Sequence, residues 1–469
     1  MAQWKSISIG KKQVVNTYGD GINTGVPVLN VADSELTYCM DMGSQNYPVI
    51  STRYGRTYYS SSMPTISSPD TIGERNNSVL HVVDGNTWKY WNEATTAFVT
   101  ITNGLTAGQK SEILDYNAGT VRYTVLMNSV EKKIWDGTNA VATLGDANTP
   151  NTNIFVCHRG RIFAAYGTNI YHSGANLPND WTTLNDAGIA GITAAKSDIT
   201  GLAIYNARVV AFTEYSMHEL YGNQPTNYVM VDIEGEIGCI SNRSIVKCNK
   251  KLYWAWHDGI YEYNGASPVK VSRAVEKYFK GISYTNRTKI VSGSIGDFLY
   301  ISIPYKASTN NMLLVFDTRI GKWYLESGSF VNFTTIKNNL YGIDTSGKIH
   351  NMRDTALFTD NGSPIAWEMI TKAYHENAMS QKKTLSHIDL VYSAAANATM
   401  NIGYTTDINS TTFTNLVSSE DFDLNGEETN SKFLIPVSAL QNVDWYKFQI
   451  KGTGDVTIHG LERNYRVRR

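Results

Sequence analysis

Apolar and polar positions alternate in short runs along most of the chain, most cleanly between Asn242 and Gly265. Ile245, Val246 and Cys248 form one apolar run, which Asn249-Lys250-Lys251 interrupts. Leu252 to Trp256 is a second run, His257-Asp258-Gly259 a second interruption, and Ile260 to Tyr263 a third run closed by Asn264-Gly265. Runs of β-branched, aromatic and aliphatic residues between Asn, Asp and Gly suit strands joined by hairpins, because those small residues tolerate a turn's backbone angles. The stretch predicts a meander of three or four strands.

The same unit recurs. With the start of each inner strand as the marker, copies begin at Val79, Val125, Ile162, Val209, Leu252, Phe298 and Leu340. The steps run from 37 to 47 residues, close to the roughly 40–45 that a four-stranded sheet and its turns consume in propeller repeats. Similar hairpins close the copies, among them Ile134-Trp135-Asp136-Gly137, Asn169-Ile170-Tyr171, Met217 to Tyr221, Gly259-Ile260-Tyr261 and Gly347 to His350. One small sheet cannot bury both faces, and radial closure stacks such sheets while protecting most edges. The pattern therefore predicts an all-β fold: a β-propeller of about seven blades within residues 48–355.

The flanks break the repeat. Residues 1–47 combine the Gly-rich Tyr18 to Gly25 with Val26-Pro27-Val28-Leu29-Asn30-Val31, which predicts an extended N-terminal arm crossing the propeller or reaching a neighbouring subunit. Those glycines do not make a dinucleotide loop, since Pro27 and β-branched residues stand where its helix belongs. Asp360-Asn361-Gly362-Ser363-Pro364 marks a linker, and residues 365–469 alternate again. Leu385 to Tyr392, Thr399 to Tyr404, Trp445 to Gly452 and Val456 to Leu461 read as strands of a C-terminal β-sandwich.

Composition narrows the class. Charged residues are 18% and the formal net charge is -1, which speaks against disorder and against a surface that grips nucleic acid everywhere. The start Met1 to Gly10 has no apolar core of a secretory signal, and no run reaches the roughly 20 apolar residues of a membrane helix. Cys39, Cys157, Cys239 and Cys248 form no C-x-x-C pair and read as reduced thiols packed as small hydrophobes.

Candidate chemistry is sparse. Tyr47 to Ser62 alternates Arg53 and Arg56 with tyrosines, a thin surface for partner or DNA contact set against a strand that completes the last blade and pins the ring shut. The basic tip Arg466, Arg468 and Arg469 is the other candidate for an acidic partner or DNA. Asp84-Gly85-Asn86-Thr87-Trp88 is similar to a sialidase Asp-box turn but lacks its spacer and occurs once, so a turn with a packed Trp is expected. Asp421 to Gly426 matches the first half of a calcium loop, yet Lys432 stands where its closing Glu belongs. There is no G-x-S-x-G and no H-E-x-x-H. No catalytic, cofactor or metal residues are assigned.

Several stretches carry a resemblance. Arg159-Gly160-Arg161-Ile162-Phe163, then Ile170-Tyr171-His172-Ser173 and Leu177-Pro178-Asn179-Asp180-Trp181, resemble a recurring blade of tailed-bacteriophage virion propellers. So do Glu236 to Ile245 leading into His257-Asp258-Gly259-Ile260-Tyr261, and the ending Gly452 to Ile458 followed by Gly460-Leu461-Glu462-Arg463-Asn464-Tyr465-Arg466. The family is that of tail nozzle, tail-hub and packaged-DNA stabilisation proteins. The resemblance implies a non-enzymatic virion component of the tail or neck, assembled in the host cytoplasm. It implies a homo-oligomeric ring that extends the DNA channel below the portal, retains packaged DNA and passes it during ejection. Portal, adaptor and tail fibre or needle would be its partners, with transient contact to genomic DNA and no membrane insertion. The competing expectation is a receptor- or glycan-binding propeller of the phage tail.

Overall fold

The structure, a computed structural model, describes residues 11–15, 17–182, 186–193, 195–418, 428–436 and 438–467. Seven antiparallel sheets of at least four strands surround a central well. Their first strands line it in chain order: Pro69–Arg75, Glu112–Asn117, Phe155–His158, Ile199–Tyr205, Val246–Cys248, Val291–Ile295 and Phe330–Ile336. The seventh of these packs against the first, so the ring is closed. The seven sequence markers each fall on the second strand of a different blade. Those second strands read as near-continuous apolar runs because both of their faces meet a neighbouring blade, as the wholly buried Phe298–Ile303 illustrates. The outermost strands of blades 1 and 4, Ala97–Thr102 and Val229–Glu234, bury no residue fully.

Turn chemistry explains the legibility of the repeat. In four blades the first two strands are joined by two-residue loops, Arg159-Gly160, Asn206-Ala207, Asn249-Lys250 and Lys337-Asn338, with positive φ at both positions. That geometry matches the twist of the flanking strands, and Asn and Gly adopt it most cheaply. Blade 7 is completed from the other end of the chain, Gly55–Tyr58 pairing antiparallel with Ile349–Asp354. The strand expected to pin the ring shut does so.

The C-terminal region is a β-sandwich from Ala366 onward, but it is not built from the C-terminus alone. One sheet places Lys383–Ala394 between Val456–Val467 and Glu428–Leu434, and the N-terminal segments Lys11–Val15 and Ile50–Thr52 flank Val456–Val467. The other orders Leu36–Met40, Ala366–Thr371, Lys447–Thr453, Thr399–Thr405 and Thr414–Val417. Leu36–Met40 also lies parallel to Lys322–Glu326, the outer strand of blade 6, so blade and sandwich share one nine-stranded sheet. Gly452 allows the close pairing there: a Cβ on it would stand 1.8 Å from the Thr399 carbonyl oxygen.

This corrects the expected extended arm. Leu36, Cys39 and Met42 are fully buried, and they hold this part of the first 47 residues inside the sandwich and its seam with blade 6. The propeller accordingly begins at Gly55, since Ile50–Thr52 belongs to the sandwich. One core runs from Leu313, Leu314 and Leu325 of blade 6 to Met369, Leu390, Ile402 and Ile450 of the sandwich. Each such side chain contributes roughly 1.5–3 kcal/mol on burial. Propeller and sandwich therefore form one body.

Candidate functional site

The segments that lead into the first strands, and the loops joining second to third strands, all emerge on one face, around the mouth of the well. The leading segments of blades 1, 2, 5 and 6 bring charged residues to the mouth at or just before their first strands: Asp70, Lys110 with Glu112, Arg243 and Lys289. Arg243 sits on the short helical turn Asn242–Ser244 of blade 5, which Ser241 anchors by donating its hydroxyl to the Ile290 carbonyl at 2.7 Å. From there it crosses the well to blades 1 and 2. Its Nε lies 2.5 Å from Glu112 Oε1, Nη1 donates to the Asp70 carbonyl at 3.0 Å, and Nη2 donates to the Ser111 carbonyl at 2.6 Å. Asp70 in turn accepts the Ser111 amide at 2.8 Å. Burial opposes the charge, but Glu112 and Asp70 hold the guanidinium above its ordinary pKa. This cluster floors the mouth.

Above the floor, a recess of about 220 Å³ is lined by Pro69, Asp70, Lys110, Arg243, Lys289, Val291, Thr309, Asn310, Val331 and Thr345. A trough of about 280 Å³ adjoins it through Lys110 and Arg243. Lys110 Nζ donates to the Thr288 carbonyl at 3.1 Å and Lys289 Nζ to the Ser308 carbonyl at 2.6 Å. Among the described residues neither lysine has a carboxylate within ion-pair distance. Loss of surrounding water, together with the like charges of Arg243 and Lys289, pulls the Lys110 ammonium below its ordinary value although Asp70 and Glu112 oppose this.

A second cluster borders the trough. The His257 ring stacks between Tyr215 and Tyr284, at centroid distances of 5.5 and 5.7 Å. Arg287 donates to its Nδ1 at 2.9 Å, which leaves the proton on Nε2, 3.0 Å from Glu214 Oε1. The same carboxylate oxygen accepts the Tyr284 hydroxyl at 2.7 Å and the Tyr215 hydroxyl at 3.0 Å. Burial pulls the imidazole below its ordinary pKa. Nδ1 is taken up by Arg287, while Nε2 is buried near Glu214 without hydrogen-bond geometry, so the cluster orders loops and presents no free base.

Blade 4 holds a Ser-His-Asp chain. Ser216 Oγ is 2.8 Å from His218 Nε2, and His218 Nδ1 is 2.6 Å from Asp232 Oδ1. A nucleophile needs an open serine. Here Ser216 is 7% exposed and also bonded to Thr213 Oγ1 at 2.7 Å, whereas the Asp232 side chain is 78% exposed. The chain fastens a hairpin.

The residues singled out from sequence lie elsewhere. Arg53 and Arg56 are buried at the seam of propeller and sandwich, which corrects their reading as partner or DNA contacts. Arg53 meets Asp41 at 2.6 Å and holds Asp360 through two nitrogens, at 2.9 and 2.5 Å. Arg56 meets Glu326 at 2.5 Å. Burial would raise the Asp360 carboxyl, but Arg53 and Arg56 hold it below its ordinary value. Arg466 is exposed on the last strand, while Arg468, Arg469 and the Asp421 to Gly426 stretch fall outside the described residues.

Asp84-Gly85 forms the expected turn, with Trp88 fully buried and its indole donating to His81 Nδ1 at 3.2 Å. Cys39, Cys239 and Cys248 are buried and Cys157 partly so. All four are free thiols, and burial pushes Cys157 and Cys239 up to about 12. The mouth cluster escaped sequence reading because each blade contributes only one or two charged residues; the available signal was their shared register around the start of the first strands.

No family model matches the sequence, and no curated protein matches it. Among solved structures the chain is similar to streptogramin B lyase, at 8% identity over 63% of this chain and 96% of that one, with a TM-score of 0.44. It is similar to BamB from Moraxella catarrhalis at 10% identity, over 66% and 92%, with a TM-score of 0.41. A chain of the mitotic checkpoint complex shows 11% identity over 64% and 94%, with a TM-score of 0.44. These are likenesses of overall shape. The class itself, a seven-bladed β-propeller fused to a β-sandwich, stands on the sheets described above.

Proposed function

We propose that the chain is a structural subunit of a phage virion, one copy of a ring at the tail or neck that extends the DNA channel below the portal. The observation that supports it best is the seam. A propeller and a sandwich sharing one nine-stranded sheet, locked by buried Arg53, form a rigid body with two separate contact surfaces. Such a body suits an assembly that must keep its shape under mechanical stress. The blade and C-terminal motifs of virion propellers add to this reading, and Arg463 in the terminal motif is a buried anchor, bonded to Glu376 at 2.8 Å. Because Arg243 spans each subunit's own well, the DNA path would run between copies. Native mass measurement of the purified protein, with protein identification in mature particles, tests this. A defined oligomer and a fixed copy number per particle are expected; absence from mature particles overturns the reading.

A second reading, a glycan-binding propeller, is favoured by one observation. Tyr215 and Tyr284, exposed by 39% and 62%, rise from a hairpin loop and a leading turn on the face that carries the mouth of the well, and Tyr166, 61% exposed, ends the second strand of blade 3. Exposed aromatic rings are the platforms on which sugar rings pack.

A further inference from the structure

The mouth recess is blind, and its charges do not cancel. Arg243, Asp70 and Glu112 satisfy one another in the floor, while Lys110 of blade 2 and Lys289 of blade 6 line the recess with only carbonyl oxygens as partners. The remaining wall offers the Thr309 and Thr345 hydroxyls and the Asn310 amide, and Pro69, Val291 and Val331 supply apolar surface. Asn310 is 5% exposed; its Nδ2 is fixed by the Lys289 and Phe330 carbonyls at 2.9 and 2.8 Å, and its Oδ1 has no partner within the protein.

A ligand that fits brings one negative charge for the two lysines, several hydroxyls for the neutral polar wall, and a ring with apolar C–H faces. A bare phosphate lacks the hydroxyls and the apolar faces. A run of acidic peptide brings several carboxylates against Asp70, which lines the same recess. We infer that the mouth of the well is a binding site for an acidic saccharide, a sugar bearing one carboxylate among its hydroxyls. The adjoining trough gives the next sugar unit a place beside Ser241, Asn242 and Thr288, and a further recess that shares Thr288 with it is lined by Tyr284.

The inference rests on the glycan-binding reading, and the ring test does not bear on it. The experiment titrates the protein with galacturonate and with sialyllactose at low salt, using maltotriose as the neutral control and inorganic phosphate as a competitor. At least one acidic sugar is expected to saturate the protein, with maltotriose at least about tenfold weaker. The Lys110→Gln, Lys289→Gln double variant should lose about tenfold or more in affinity with an unchanged melting temperature, since neither lysine holds a carboxylate. Lys110→Arg with Lys289→Arg should retain binding. No saturation by either acidic sugar, equal binding of maltotriose, or full displacement by phosphate at equal concentration would each overturn the assignment.

Discussion

Two arginines clasped by carboxylates, Arg53 and Arg243, hold different parts of this molecule in different surroundings. Arg53 lies in the seam, its side chain 4% exposed among Asp41 and Glu326 at 5% and 7%. Arg243 spans the well, 10% exposed, facing Glu112 and Asp70 at 18% and 22%. The chemistry is the same but the access to water differs. Removing a buried partner strands charge in a dry interior, whereas groups at the mouth can be rehydrated. The seam should therefore tolerate change least, although the well is the geometric centre.

The largest expected effect is at the seam. Arg53→Met leaves Asp41 without its cation and leaves Asp360 and Glu326 to Arg56 alone, and should cost on the order of 3–5 kcal/mol, read from denaturant midpoints. A loss below about 1 kcal/mol would break the comparison.

Acid should act next, through blade 1. Burial, reinforced by Arg75, lowers the His81 pKa to about 3. The unfolded imidazole takes a proton below about 6.5. The unfolded state thus binds more protons between those values, and stability is lost as pH falls through that window, by roughly 2–3 kcal/mol near pH 4.5. Asp360 acts in the same direction at lower pH, because a carboxylate with a depressed pKa contributes above its unfolded value and loses that contribution as acid protonates it. His81→Phe should flatten the pH profile in the upper part of the window; an unchanged slope would show that another group titrates there.

Arg243→Met should cost less than the seam variant, about 1–3 kcal/mol, because water reaches Glu112 and Asp70 from the mouth. A cost equal to that of Arg53→Met would mean that the well is as dry as the seam. The smallest effect belongs to the Lys382–Asp444 pair, whose side chains are 53% and 43% exposed. Lys382→Ala should change stability by no more than about 0.5 kcal/mol, and added salt should erase the difference.

The same contrast governs what could be read from the chain. The first three strands of each blade pair with their sequence neighbours, mostly through short turns, so Val79, Val209 or Phe298 announce their blades through local alternation and Asn-rich turns. The closing strand Gly55–Tyr58 was foreseeable because the ring needed one, and the C-terminal strands showed their period. The insertion of Leu36–Met40 beside Lys322–Glu326 was not legible, since its partner lies almost 300 residues away. Arg53 and Arg56 looked like surface cations for the same reason: Asp360 and Glu326, which bury them, are distant in sequence. The mouth cluster is assembled from one or two residues of each of several blades, and no local motif encodes it.

The central claim is that this rigid body is a subunit of a virion ring. Its most direct test is imaging of the purified protein mixed with particles that lack it. The account predicts a closed ring docked at the portal vertex, with the channel between propellers and not through them. A monomer that leaves the vertex bare would contradict it.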